Sequence, residues 1–222
     1  MIVSIFFLIK LMTTIFYTYF NSKIEDTQWK RYITKVPNDI QNRINKFKRW
    51  EDRHASLLGK LLLLKGLEKY GVNYLSLSNL SYNKFGRPSL GALIDFNISH
   101  SGEYVVCAFT DQGKVGIDIE KINNISLLDF NRFMADDEWH DIMSHDPPHE
   151  KFYDYWTIKE SVMKAYGKGL SIPLKDICIK NNKAMLYNSQ WFVKEVKIHF
   201  AYKCHISLNS KPLDIMIEKI DF

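Results

Sequence analysis

The stretch KVGIDIEK, residues 114–121, constrains the fold of this chain more than any other. Val115, Ile117 and Ile119 alternate with Gly116, Asp118 and Glu120, the period-two pattern of a strand with one apolar and one polar face. With a rise of about 3.3 Å per residue, Asp118 and Glu120 stand roughly 6.6 Å apart at their bases and can converge on one cation. A donor set of oxygens alone points to Mg2+ rather than zinc. Read by itself, the alternation is more commonly a solvated strand face.

A second stretch, EKFYDYWTIKESVMKAYGKGL from Glu150, reads as helical and is stopped by Gly167 and Gly169. Glu160 and Lys164 are four residues apart and share a helix face. They form either a surface ion pair worth about 0.3–0.5 kcal/mol or a carboxylate that binds metal or takes a proton, beside a cation that stabilises phosphate. The corner Ser99-His100-Ser101-Gly102 lacks the geometry of a triad, because adjacent residues do not aim at one another. His100 reads instead as an anion-binding donor. No GxxxxGK[ST], GxGxxG or GxSxG occurs. His140, His145 and His149, with Glu138 and Asp146, match no regular ligand spacing, and the Pro147-Pro148 loop beside them reads as simply polar.

Around these motifs the pattern predicts an α+β chain. TTIFYTYF is a first strand, and residues 38–71 are helical, with Asn38 or Asp39 as cap and Gly71 as stop, Gly59 and Gly66 counting against one uninterrupted helix. FNISHSGEYVVCAFT gives two strands around a corner, residues 126–143 a helix, and the segment after Ser171 is rich in strands. Residues 30–65 hold ten Lys or Arg against Asp39, Glu51 and Asp52, so the window carries +7 of a net charge of +5. Such a field suits a polyanion, either nucleic acid or a multiply phosphorylated cofactor. The apolar first twenty residues contain Lys10 and lack the flanks of a signal peptide. They are read as no stable membrane insertion, with residues 1–11 an extension from an upstream start and Met12 the functional one. Three scattered cysteines, without a CxxC pair, fit a reducing cytoplasm.

Five segments in order resemble the Sfp-type 4′-phosphopantetheinyl transferase family over about residues 40 to 175: WEDRHASLLGKLLL, FGRPSL, FNISHSG, GIDIE and WTIKESVMK with its tail GKGLSIPL. The resemblance implies two similar α/β halves with pseudo-twofold symmetry, residues 1–112 and 113–222, with coenzyme A between them in a monomer. It implies transfer of 4′-phosphopantetheine from coenzyme A to a serine of an apo acyl or peptidyl carrier protein, dependent on Mg2+, with release of 3′,5′-ADP. Asp118, Glu120 and Glu160 match the metal-binding acids, Glu160 also being the candidate base. Lys164 matches the lysine that assists the departing 3′,5′-ADP. Arg43, Ser56, Arg87, Ser99 and His100 are the expected coenzyme A contacts. Ala55 stands where some members carry an arginine, and Arg53 lies about 200° round the helix from it, so Arg43 or Lys46 is expected to share that work. Two rival readings are a Mg2+-dependent enzyme acting on nucleic acid and a non-catalytic carrier-binding module.

Overall fold

Strand β1 (Thr13–Tyr19) begins the computed structural model, which describes residues 13–72, 77–91, 94–212 and 214–222. The expectations for residues 1–11 lie outside the described residues. Helices α1 (Asp26–Ile33), α2 (Asn38–Asn45) and α3 (Trp50–Lys69) follow. A short hairpin, β2 (Ser81–Tyr82) and β3 (Pro88–Ser89), leads to β4 (Asp95–Ser101) and β5 (Tyr104–Thr110). The second half contains β6 (Val115–Lys121), α4 (Asp136–Met143), α5 (Pro148–Tyr166), β7 (Ile177–Lys180), β8 (Lys183–Leu186), β9 (Ser189–Glu195), β10 (Tyr202–Leu208) and β11 (Ile215–Lys219).

Two sheets result, ordered β11-β1-β5-β4 and β6-β10-β9-β8-β7. Each carries one long helix, α3 on the first and α5 on the second. The expected α+β architecture of two similar halves is present. β11 crosses back to pair in parallel with β1 of the first sheet.

The leucines of α3 bury against Phe96, Val105 and Phe109 of the first sheet. The anticipated interruption falls elsewhere than at Gly59 and Gly66: the chain breaks between Asn45 and Trp50, and both glycines lie inside α3. Their role is close approach. A Cβ on Gly66 would sit 1.9 Å from the Phe109 ring. The predicted helix at 126–143 is a short 3-10 helix, Leu128–Phe133, followed by α4. α5 starts at Pro148, two residues earlier than the pattern suggests, since proline suits the first turn of a helix, where no N–H bond is lost.

The sheets meet along β4 and β6 without a backbone ladder. Side chains at every second position of β4 accept the N–H groups of β6 instead. Asp95 takes Val115 at 2.8 Å, Asn97 takes Ile117 at 2.9 Å, Ser99 takes Ile119 at 3.4 Å and Ser101 takes Lys121 at 3.1 Å. Behind this seam Val115, Ile117 and Ile119 pack with Ile15, Val106 and Ala108 of the first sheet. The period-two alternation thus faces a core shared by both halves.

Two buried histidines tie stability to pH. In His54, Nδ1 bonds the Trp50 carbonyl at 2.7 Å and Nε2 accepts the Ile24 N–H at 2.9 Å, so both ring nitrogens of the neutral form are used. Burial lowers its pKa, and burial pushes His205 down to about 4. Between pH 6.5 and 4 the unfolded chain therefore binds protons that the folded chain refuses, and stability falls with acidification. We expect a loss of roughly 2 kcal/mol at pH 5 from His205 alone, measured by urea unfolding and reduced in His205→Gln.

Candidate active site

α5 can lie on β6 only because position 116 has no side chain. A Cβ there would fall 2.0 Å from the Ser161 carbonyl oxygen and 2.5 Å from the Ala165 nitrogen. Beyond that contact point β6 presents Asp118 and Glu120, and α5 presents Glu160 and Lys164. All four line one cleft with Ser99 and His100 of β4. The structure therefore brings together six of the nine residues expected at the site.

Asp118 is 2% exposed. Its Oδ1 accepts Lys164 Nζ at 2.5 Å and Ser99 Oγ at 2.9 Å, and Lys164 Nζ also donates to Ser99 Oγ at 2.9 Å. Ser101 Oγ donates to Glu120 Oε2 at 2.8 Å. The serines that join the sheets thus also orient the acids, a double duty legible only in three dimensions.

Burial, then the Asp118 charge, pushes both Glu120 and Glu160 up to about 7. Burial raises Asp118, with the Lys164 ammonium pulling against it. Burial disfavours the Lys164 ammonium, but Asp118 and then the two glutamates outweigh it and hold its pKa above the ordinary value. The ammonium is charged. His100 is exposed at the cleft mouth, yet desolvation by the walls, and then the Lys164 charge, lowers its pKa.

Asp118 Oδ2 is buried with no hydrogen-bond partner among the described residues. A stranded carboxylate oxygen beside two carboxyls that resist ionisation is a hard-oxygen set that fits a divalent cation. The acids do not form a ready cage: among the described residues, no three His, Cys, Asp or Glu side chains are arranged to hold a metal ion as they stand. Lys164 supplies the positive charge at Asp118.

Arg43 and Ser56 sit in a neighbouring pocket of about 260 Å3, with Lys46, Lys60 and Tyr82 and, among the described residues, no carboxylate in its lining. Arg43 Nη1 donates to the Tyr82 hydroxyl at 3.1 Å, and its guanidinium lies 5.1 Å from the ring centroid. Lys60, one turn beyond Ser56, was not singled out by the sequence. Burial and then Cys107 and Arg43 act on its ammonium, with a net lowering of its pKa. Its charge also acts on His100, so this pocket and the acid cleft share one field. Arg53 turns away to the Lys48 carbonyl at 3.2 Å, and Ala55 is buried.

Arg87 is not among the residues lining this cleft, and its guanidinium is engaged by Asp95 at 2.9 and 2.6 Å and by the Lys164 and Val115 carbonyls. Glu138 and Lys159 acquire a role as well. Lys159, fully buried, donates to Glu138 at 2.8 Å and to the Leu174 and Ile177 carbonyls at 3.0 and 2.8 Å, tying α5 to the chain that follows it. The apolar positions around it in sequence give no sign that a lysine is inside.

Comparison with known proteins places these features in a lineage. Residues 114–215 match the 4′-phosphopantetheinyl transferase superfamily model, and residues 23–112 match the N-terminal model of a 4′-phosphopantetheinyl transferase. 4′-Phosphopantetheinyl transferase Sfp of Bacillus subtilis (strain 168) is 34% identical over 166 residues, 73% of this chain and 74% of that protein. 4′-Phosphopantetheinyl transferase gsp of Aneurinibacillus migulanus is 32% identical over 200 residues, 84% of this chain and 82% of its own. L-aminoadipate-semialdehyde dehydrogenase-phosphopantetheinyl transferase of Mus musculus is 31% identical over 67% of this chain and 53% of its own. With relatives this similar over most of both chains, and the acids and lysine of two motifs meeting in one cleft, the protein belongs to the 4′-phosphopantetheinyl transferase superfamily.

Proposed function

We infer that the protein transfers 4′-phosphopantetheine from coenzyme A to a serine of an apo acyl or peptidyl carrier protein. The observation that carries the chemistry is the convergence of Asp118, Glu120, Glu160 and Lys164 on one cleft beside Ser99 and His100. The carrier serine oxygen forms a bond to the β-phosphorus, and the bridging P–O bond of the pyrophosphate breaks to release 3′,5′-ADP. Glu160, with a pKa of about 7, is matched to accept the serine proton near neutral pH. The Lys164 ammonium is positioned to stabilise charge on the departing phosphate. Ser99 and His100 contact phosphate at the cleft, while Arg43, Ser56 and Lys60 hold a phosphate in the adjoining pocket.

Asp118, Glu120 and Glu160 would hold Mg2+, with the unpaired Asp118 Oδ2 as its first claim. When bound, that ion neutralises the pyrophosphate oxygens. Both halves of the cleft come from one chain, which supports a monomer. Three cysteines without a disulfide fit a cytoplasmic protein. Among the described residues no helix is long and apolar enough to cross a membrane. The gathering of Arg43, Lys46 and Lys60 in a small concave pocket favours a compact phosphorylated substrate over nucleic acid.

The test is incubation with several apo carrier proteins, coenzyme A and Mg2+, with mass spectrometry of the carriers. We expect a phosphopantetheine adduct on serine. No adduct on any carrier, with salt-sensitive binding to nucleic acid, would replace this reading with its rival.

A further inference from the structure

Arg87 lies between β2 and β3 on the covering hairpin, and only 10% of its side chain is exposed. Nη1 and Nη2 grip the two oxygens of Asp95 at 2.9 and 2.6 Å. Nε donates to the Lys164 carbonyl at 2.9 Å, and Nη2 donates to the Val115 carbonyl at 3.0 Å. Of the five N–H groups of a guanidinium, only one on Nη1 is left over. Asp95 is equally occupied, since it also accepts the Val115 N–H at 2.8 Å and the Lys114 ammonium at 3.2 Å.

The same hairpin makes a second hold. Asn83 Nδ2 donates to the Gly167 carbonyl at 2.8 Å, while its Oδ1 accepts the N–H groups of Phe85 and Arg87 at 2.9 Å each. Gly167 ends α5 in the left-handed conformation with φ +82, and a Cβ there would meet Arg87 Cδ at 2.7 Å. The hairpin therefore caps carbonyls at the end of α5, which that helix cannot satisfy itself. At the same time Arg87 holds the first residue of β6. These two elements carry all four acid and lysine groups of the cleft.

We propose that Arg87 is a positioning residue of the transfer reaction: it fixes the end of α5 against the start of β6, seats the Lys164 ammonium on Asp118, and binds no substrate phosphate. The proposal rests on the transfer activity inferred above. A planar fork is needed for this geometry, because a lysine supplies a point charge and cannot span a carboxylate and two carbonyls at once. Charge conservation and geometry conservation therefore separate the two roles.

The experiment compares wild type, Arg87→Lys, Arg87→Met and Asp95→Asn in steady-state transfer, with 3′,5′-ADP binding by calorimetry and hydrogen exchange of residues 163–167. We expect all three variants to lose about 10–100-fold in kcat with the KM for coenzyme A within about 2-fold. Exchange at the end of α5 should accelerate while 3′,5′-ADP affinity is kept. A phosphate ligand would behave otherwise: Arg87→Lys would stay near wild type and Arg87→Met would raise KM and weaken 3′,5′-ADP binding, and that result overturns the proposal. Should Arg87→Met fail to fold, Arg87→Lys and Asp95→Asn carry the comparison. Failure of the transfer reading shows separately, as wild-type protein without turnover, and unchanged exchange at residues 163–167 in Arg87→Lys would then still refute the clamp.

Discussion

Glu160→Gln is expected to abolish phosphopantetheine transfer, by at least about 1,000-fold in kcat/KM, while making the metal-free protein more stable. The two effects have one cause. Glu160 lies within the field of Asp118 in a buried cleft, and both burial and that charge raise its carboxyl to about 7. The sign follows from linkage. A folded pKa above the unfolded value near 4.5 favours the protonated fold, so its stabilisation is complete below pH 4.5 and is lost as pH rises through about 7. At pH 8 in EDTA the wild type carries an ionised carboxylate that the fold disfavours, and the isosteric amide removes it. A shift from 4.5 to about 7 corresponds to roughly 3 kcal/mol at pH 8, so a rise in melting temperature of about 6–12 °C is expected there and should vanish near pH 4.5. Calorimetric melts at both pH values, with the mass-spectrometric transfer assay, measure it. Wild-type turnover in the variant would remove Glu160 from the chemistry, and an unchanged melt at pH 8 would show that the acids do not strain one another.

Gly116→Ala is expected to be strongly damaging to both stability and turnover. Its Cβ would lie 2.0 Å from the backbone oxygen of Ser161 and 2.9 Å from Ala165 Cβ, with no flexible side-chain tip to move aside. Relief requires α5 to retreat from β6. Overpacking of this kind costs about 3 kcal/mol or more when backbone must shift. The same retreat lifts Lys164 from Asp118, so turnover should fall about 100-fold in the fraction that stays folded. Gly71→Ala is the control. There the backbone is left-handed with φ +67 and no atom of the described residues lies within 4 Å of the added Cβ, so the cost is only the conformational one, about 1–2 kcal/mol, and turnover is unchanged. Urea unfolding and steady-state kinetics on both variants separate contact from backbone strain. Equal losses in the two would mean that the helix does not bear on Gly116.

Local pattern carried much of this protein. The alternation from Val115 to Glu120 and the four-residue spacing of Glu160 and Lys164 depend only on the periods of strand and helix, which neighbours in sequence set. They put Asp118 and Glu120 on one face of β6 and Glu160 with Lys164 on one face of α5, and these faces meet in one cleft. Glycine was harder to read. Gly59 and Gly66 have the composition of a helix break but occupy close contacts, whereas the break came between Asn45 and Trp50. The difference lies in Phe109 and Ile98, residues far along the chain that fill the space of the missing side chains.

Charged residues show the same division. Arg87 in a Gly-Arg-Pro turn carries no mark of whether its guanidinium will meet a ligand or a carboxylate. That was decided by Asp95, Val115 and Lys164, which converge only after both sheets have docked. Lys60 became a pocket cation because Ser56, Arg43 and Tyr82 come from three separate elements around it. Sequence by itself determined which faces of β6 and α5 carry the acids, because period and side-chain type are local properties. Tertiary structure alone decided which cations are free for substrate and which are spent holding the cleft together, because a charge is committed by the partners that folding brings within about 3 Å of it.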